Sequence, residues 1–326
     1  MFLASLAFSM LCPSMGSRIH HGIESDQISR VVVAYVQDWE GSPLNPDQLD
    51  YAKITHLDVA FANPVDASGT LSIPSHLAQL VDKAHQNGVK VLISIGGGGI
   101  SESEAERKKY FNLINGNARA GFVQKISEYM DANKLDGLDV DLEGPAINQD
   151  YTAFVSALSQ ALKPRGKILT AAVSGGFGGD QITADALANF DLVNVMAYDA
   201  SGPWQPNQPG PHSSFDFAKS CVTYWQGRGV PNNKIVLGVP FYGYGFGQAF
   251  TQDGYTYAQI VAKYPGSELV DQVAKTIYYN GIPTMRAKAK YVMDQNLAGV
   301  MIWSLDQDAI GSLSLLSAIH DAFLKH

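Results

Sequence analysis

From Arg30 onward the chain repeats one pattern. A short run rich in β-branched and apolar residues is followed by a stretch whose apolar positions recur three and four apart. The short runs cover residues 31–36, 54–61, 89–95, 135–143, 168–173, 190–198, 234–242 and 297–305. Helical spacing occupies 76–87, 119–133, 150–162, 215–228 and 284–296. Gly88 closes the first of these helices where a left-handed cap is expected, and Pro164-Arg165-Gly166 stops the third. Strands alternating with helices imply a parallel sheet, and eight such units imply a closed (β/α)8 barrel, the TIM barrel. A doubly wound open sheet is the alternative, but it rarely takes eight even units. In a barrel of this kind the chemistry belongs at the C-terminal ends of the strands.

The fourth run departs from its siblings. Leu138, Val140 and Leu142 share one face, while Asp139, Asp141 and Glu143 share the other. Asp is a poor strand former, and same-face neighbours sit only ~7 Å apart along a strand. With both faces covered, three such carboxylates cannot all stay ionised cheaply, so at least one pKa must rise. An acid held protonated near neutral pH is what general acid catalysis needs. Asp136 has the opposite parity and reads as a strand-entry residue. Glu143 closes the run, at the catalytic end of the barrel.

Composition narrows the class. The 326 residues fit one barrel with room for short insertions. At 46% hydrophobic and 17% charged residues, the chain is globular with a large core. A formal net charge of −8 argues against nucleic acid or an anionic membrane as partner. No solenoid-period repeat and no apolar run of membrane-spanning length occur. Residues 1–16 read as a signal peptide: 2–12 is apolar and Ser14-Met15-Gly16 offers a small-x-small cleavage site, although a basic n-region is missing. A linker, 17–29, then leads to the catalytic barrel at 30–326. A secreted or periplasmic, monomeric protein is expected, with lipid modification at Cys12 as the alternative. Cys221 is the only other cysteine, so a processed chain forms no intrachain disulfide. No histidine lies near the acidic cluster in sequence or in metal-ligand spacing with another.

Asp136-Gly137-Leu138-Asp139-Val140-Asp141-Leu142-Glu143 resembles the DGxDxDxE signature of glycoside hydrolase family 18, the chitinases and their relatives. Other strand ends agree. Ser94-Ile95-Gly96-Gly97 resembles the SxGG element of that family, and no Gly-Lys-Ser/Thr follows to make the glycines a phosphate loop. Met196-Ala197-Tyr198-Asp199, followed by Gly202-Pro203-Trp204, is similar to MxYD and its Gly-Pro-Trp loop. By strand parity Asn194, Met196 and Tyr198 face one way. Gly238-Val239-Pro240-Phe241-Tyr242-Gly243 resembles GxPFYG, with Tyr244 where many members carry Arg. Trp303, in the last run, matches the tryptophan placed under the reactive sugar, and Tyr35 and Phe61 match aromatics of the same floor.

The resemblance implies a retaining hydrolase that cleaves β-1,4-linked N-acetylglucosamine polymers without cofactor or metal. Its substrate's own 2-acetamido oxygen attacks the anomeric carbon. It implies that Glu143 protonates the leaving oxygen and later deprotonates water. Asp141 orients the acetamido group, Asp139 shares a proton with Asp141, and Tyr198 donates to the acetamido oxygen. Ser94 and Tyr35 steady Asp139, while Phe61, Asp199, Trp204, Tyr242 and Trp303 contribute to substrate binding. It also implies cis peptide bonds at Ala60–Phe61 and Trp303–Ser304.

Three other readings stay open: an endo-β-N-acetylglucosaminidase acting on glycoprotein glycans, a non-catalytic chitin-binding lectin-like barrel, and a hydrolase using the acids as metal ligands. Many members insert a sizeable subdomain after the seventh strand. Here 243–283 offers a short helix and little else, which predicts an open groove, endo-cleavage, and Trp39 and Trp204 as outer platforms.

Overall fold

The computed structural model describes residues 30–175 and 178–324. The expected leader and linker, with Cys12, lie outside the described residues. Seven strands open the chain: β1 (Val31–Gln37), β2 (His56–Ala60), β3 (Lys90–Gly96), β4 (Gly137–Asp141), β5 (Ile168–Ser174), β6 (Leu192–Met196) and β7 (Ile235–Pro240). Four short strands follow: β8 (Tyr242–Gly245), β9 (Tyr255–Thr256), β10 (Gln272–Val273) and β11 (Ile277–Tyr278). The last is β12 (Gly299–Trp303). β1 to β7 and β12 pair in parallel and close into a barrel, in the order β1-β12-β7-β6-β5-β4-β3-β2. The (β/α)8 architecture read from the alternating pattern is the observed one.

The helices of the outer ring begin with α1 (Leu77–Gln86), α2 (Gly98–Glu102), α3 (Glu104–Ile114), α4 (Arg119–Ala132) and α5 (Tyr151–Leu162). They continue with α6 (Ala184–Asn189), α7 (Phe215–Gly227), α8 (Tyr257–Lys263), α9 (Ile282–Asp294) and α10 (Leu315–Leu324). Their starts follow capping chemistry: the Ser103, Thr183 and Ser214 side chains each accept a first-turn N–H, at α3, α6 and α7. The helix ring and the outward faces of the strands form one apolar layer, in which Phe122 of α4 stacks on Phe154 of α5 at 5.7 Å. Each large side chain buried this way contributes about 1.5–3 kcal/mol.

The barrel interior is different. Val33, Tyr35, Val236 and Met301 fill one side of it, whereas β2 to β6 point Asp58, Ser94, Asp139, Thr170 and Asn194 inward, all fully or almost fully buried. Several strands are shorter than their apolar runs. β4 stops at Asp141 and β6 at Met196, which leaves Glu143, Tyr198 and Asp199 on the loops just above the sheet. Side chains there can reach a ligand, which strand side chains locked in the interior cannot. The Ala60–Phe61 and Trp303–Ser304 peptide bonds are both cis.

The expectation for 243–283 needs correction. The segment holds the helix α8, opened by a Thr256/Gln259 capping box, but also most of a four-stranded sheet in the order β10-β11-β8-β9. Its members run only two to four residues, too short to leave a periodic signal. The insertion remains short, and its sheet packs beside the mouth of the barrel rather than forming a separate domain.

Candidate active site

The acidic strand β4 builds the centre. Leu138 and Val140 face the helices and are fully buried, which turns Asp139 and Asp141 into the barrel. Asp139 is the best supported of the acids. Its carboxylate accepts from Ser94 Oγ at 2.8 Å, Thr170 Oγ1 at 2.6 Å and Asn194 Nδ2 at 3.4 Å. Burial pushes its pKa up, and these donors oppose that by favouring the ionised form. One level higher, Asp141 is 3% exposed and its Oδ1 has no hydrogen-bond partner among the described residues. Burial first, then the charges of Glu143, Asp139 and Asp58, hold its pKa well above the carboxylate range.

Glu143 lies two residues beyond the strand, on the rim. Ser101 Oγ of α2 donates to its backbone carbonyl at 2.8 Å, fixing where the side chain starts. Burial, reinforced by the charges of Asp199 and Glu102, pushes its pKa up to about 7. The glycines at the end of β3, Gly96 and Gly97, make room for this stack. Gly96, at φ +111°, packs so closely on β4 that a Cβ would overlap the carbonyl oxygen of Asp141. At Gly97, φ +88°, a Cβ would come within 2.6 Å of the Phe61 ring.

Aromatic residues supply the floor and one wall. Trp303 lies 5.6 Å from Tyr35 and 5.8 Å from Phe61 between ring centres, the latter pair stacked. Tyr198 is buried up to its hydroxyl, which points at Met301 Sδ, 3.7 Å away. Asp199 takes the left-handed conformation at φ +62°, and its Oδ1 accepts from the hydroxyls of Tyr242 at 2.5 Å and Tyr244 at 3.1 Å. His212, fully buried, places Nδ1 at 3.4 Å from the same oxygen. Trp204 meets Tyr244 edge-on at 5.4 Å. Tyr244, where an Arg resemblance was absent, thus joins a cage around Asp199 made of hydroxyls and an imidazole.

These groups line a cleft of about 800 Å³ at the C-terminal mouth of the barrel. Asp141, Glu143, Tyr198, Asp199, Trp204, Phe61 and Trp303 all face it. Tyr35, Ser94, Asp139 and Tyr242 do not: the first three lie beneath the floor and Tyr242 lies behind Asp199. Trp39 is 51% exposed but outside the cleft lining. Asp136 sits at the opposite end of β4, accepting from Val91 N at 2.9 Å and His85 at 2.8 Å.

Sequence reasoning missed Thr170, Asp58, Ser101, Met301 and His212. Inward parity on β5 and β2 would have flagged Thr170 and Asp58 as polar residues inside apolar runs. No sequence signal points to His212, which reaches Asp199 from a loop. Chemically, the arrangement offers a protonatable acid on the rim, a second buried acid beside it, and an aromatic platform opposite.

Known proteins share this architecture. A solved GH18 chitinase, ChiB from the chitin utilization locus of Flavobacterium johnsoniae, is 38% identical, with a TM-score of 0.83 over 91% of this chain and 94% of that one. The "chitinase-like effector" of the fungus Moniliophthora perniciosa is 29% identical over 72% of this chain and 60% of its own length. "Probable chitinase 10" of Drosophila melanogaster is 27% identical over 85% of this chain, which spans only 15% of that longer protein. Residues 31–308 match the family described as glycosyl hydrolases family 18, and the chain belongs to that family.

Proposed function

We propose that this protein is a retaining chitinase that cleaves β-1,4-linked N-acetylglucosamine chains by substrate-assisted, endo-acting hydrolysis. The observation that carries the proposal is the graded column of acids. Asp139 is ringed by donors, Asp141 has an unpartnered buried oxygen, and Glu143 on the rim is poised near pH 7. A general acid works best when its pKa lies near the working pH. Glu143 protonates the glycosidic oxygen as the bond to the anomeric carbon breaks. The substrate's acetamido oxygen takes the place of an enzyme nucleophile on the opposite face and forms an oxazolinium ring. Asp141 accepts from the acetamido N–H and balances the ring's positive charge, while Tyr198 holds the acetamido oxygen. Glu143, now ionised, removes a proton from water, which opens the ring with overall retention. Trp303 and Phe61 supply the apolar bed for the reacting sugar.

The name of the Flavobacterium relative supports chitin as the substrate class. The apolar segment 2–12 supports export, which the N-terminal residue of protein recovered from the medium or periplasm would establish. One comparison tests the function: cleavage of N-acetylglucosamine oligomers against release of glycan from a high-mannose glycoprotein, with the anomer of fresh product read by NMR. Oligomer cleavage giving β-anomer supports the proposal. Glycan release without oligomer cleavage identifies an endo-β-N-acetylglucosaminidase, and binding without cleavage identifies a lectin.

A further inference from the structure

A fourth carboxyl lies inside the barrel, below the three of the acidic strand. Asp58 sits on β2, level with Tyr35 of β1 and Leu92 of β3. It is 0% exposed, and neither carboxyl oxygen has a hydrogen-bond partner among the described residues. A bare carboxylate in such a place is strongly disfavoured. Asp139, facing it across the interior, is its opposite in support, with three side-chain donors. Two neighbouring acids so unequally served divide their charge unequally: the negative charge settles on Asp139 and the proton on Asp58. Burial and the Asp139 charge both push the Asp58 pKa well up, and the Tyr35 hydroxyl offsets only part of this.

Tyr35 links the two. Its hydroxyl accepts from Asn194 Nδ2 at 3.1 Å and neighbours both Asp58 and Asp139. One hydroxyl has one proton to donate, so it can serve only one of the two carboxyls at a time. The titratable groups facing Asp58 are Tyr35 from β1 and Asp139 and Asp141 from β4. Its strand neighbour His56 is pushed down to about 4 by burial and adds no charge at neutral pH.

We propose that Asp58 is the proton-carrying base of the acid column, a positioning residue that acts through Tyr35 to keep the negative charge on Asp139. With a proton on Asp58, Tyr35 is free to donate upward to Asp139. Loss of that proton adds charge below Asp139, which then retains a proton and leaves less negative charge to share with Asp141. The kinetic side of this inference rests on the proposed hydrolysis, whereas its spectroscopic side does not.

The test uses the full chain with Asp58→Asn, which keeps the shape of the neutral acid. Infrared spectra at pH 7 should lose one protonated-carboxyl band relative to wild type, and Tyr35→Phe should shift that same band. Should Asp58→Asn not fold, Asp58→Leu, uncharged and of similar reach, should lose the same band. The amide is neutral, as the protonated acid is, so the acid limb of the kcat/KM profile on N-acetylglucosamine oligomers should stay where it is in wild type. Tyr35→Phe, which takes a donor away from Asp139, should move that limb to higher pH. An unchanged infrared spectrum, or an acid limb that Asp58→Asn moves down by about one unit, as removal of an ionised neighbour would, would overturn the inference. If wild type cleaves no oligomer, the hydrolase reading fails while the infrared result still decides the state of Asp58.

Discussion

At the scale of the residue, Glu143 carries two separable consequences. Its pKa, lifted from 4.5 to about 7, means the folded protein holds a proton that the unfolded chain has already released between those values. Stability from this group is therefore present below pH 4.5 and lost as pH rises through 7. Glu143→Gln removes that loss. The variant should melt at a higher temperature than wild type at pH 8 and at nearly the same temperature at pH 4, as calorimetry across pH would show. Wild-type activity should also fall as pH rises past about 7, because the general acid is then ionised. Melting curves that stay parallel across pH would mean that Glu143 is not perturbed.

At the scale of the element, the loop after β6 is held from behind. Lys288 of α9 is fully buried and donates to Ser213 O, Ser213 Oγ and Asn280 Oδ1 at 2.7–2.9 Å. Ser213 Oγ in turn donates to Ala197 O, next to Tyr198 and Asp199. Lys288→Met leaves buried acceptors unpaired and should cost about 3 kcal/mol of stability. It should also raise KM by loosening the segment that carries Asp199 and Trp204, a change visible in denaturant titration and steady-state kinetics. The eight barrel strands were legible because each is a β-branched run between turn signals. The acids of β4 were legible because alternation with Leu138, Val140 and Leu142 assigns them one face. α3, which opens with the polar sequence Glu-Ala-Glu-Arg-Lys-Lys, escaped notice because it shows no apolar stripe over its first turns, whereas α10 carries Leu315, Ile319 and Phe323 at helical spacing and could have been read. The small sheet after β7 and the role of His212 depend on contacts that no local period records.

At the scale of the whole molecule, the short insertion leaves the cleft open beside Trp204, which is 55% exposed. In the proposed endo-acting hydrolysis, a chain bound across such a mouth would leave after each cut. Time-resolved products from a long soluble substrate should therefore be a spread of oligomers from the first minutes; disaccharide released from one end alone would refute this. If Glu143 is the acid of a hydrolase, Glu143→Gln should turn over the N-acetylglucosamine hexamer about 10²–10⁴-fold more slowly in kcat than wild type, with oligomer binding retained and circular dichroism showing the same fold; near-wild-type turnover by the folded variant would rule Glu143 out as that acid.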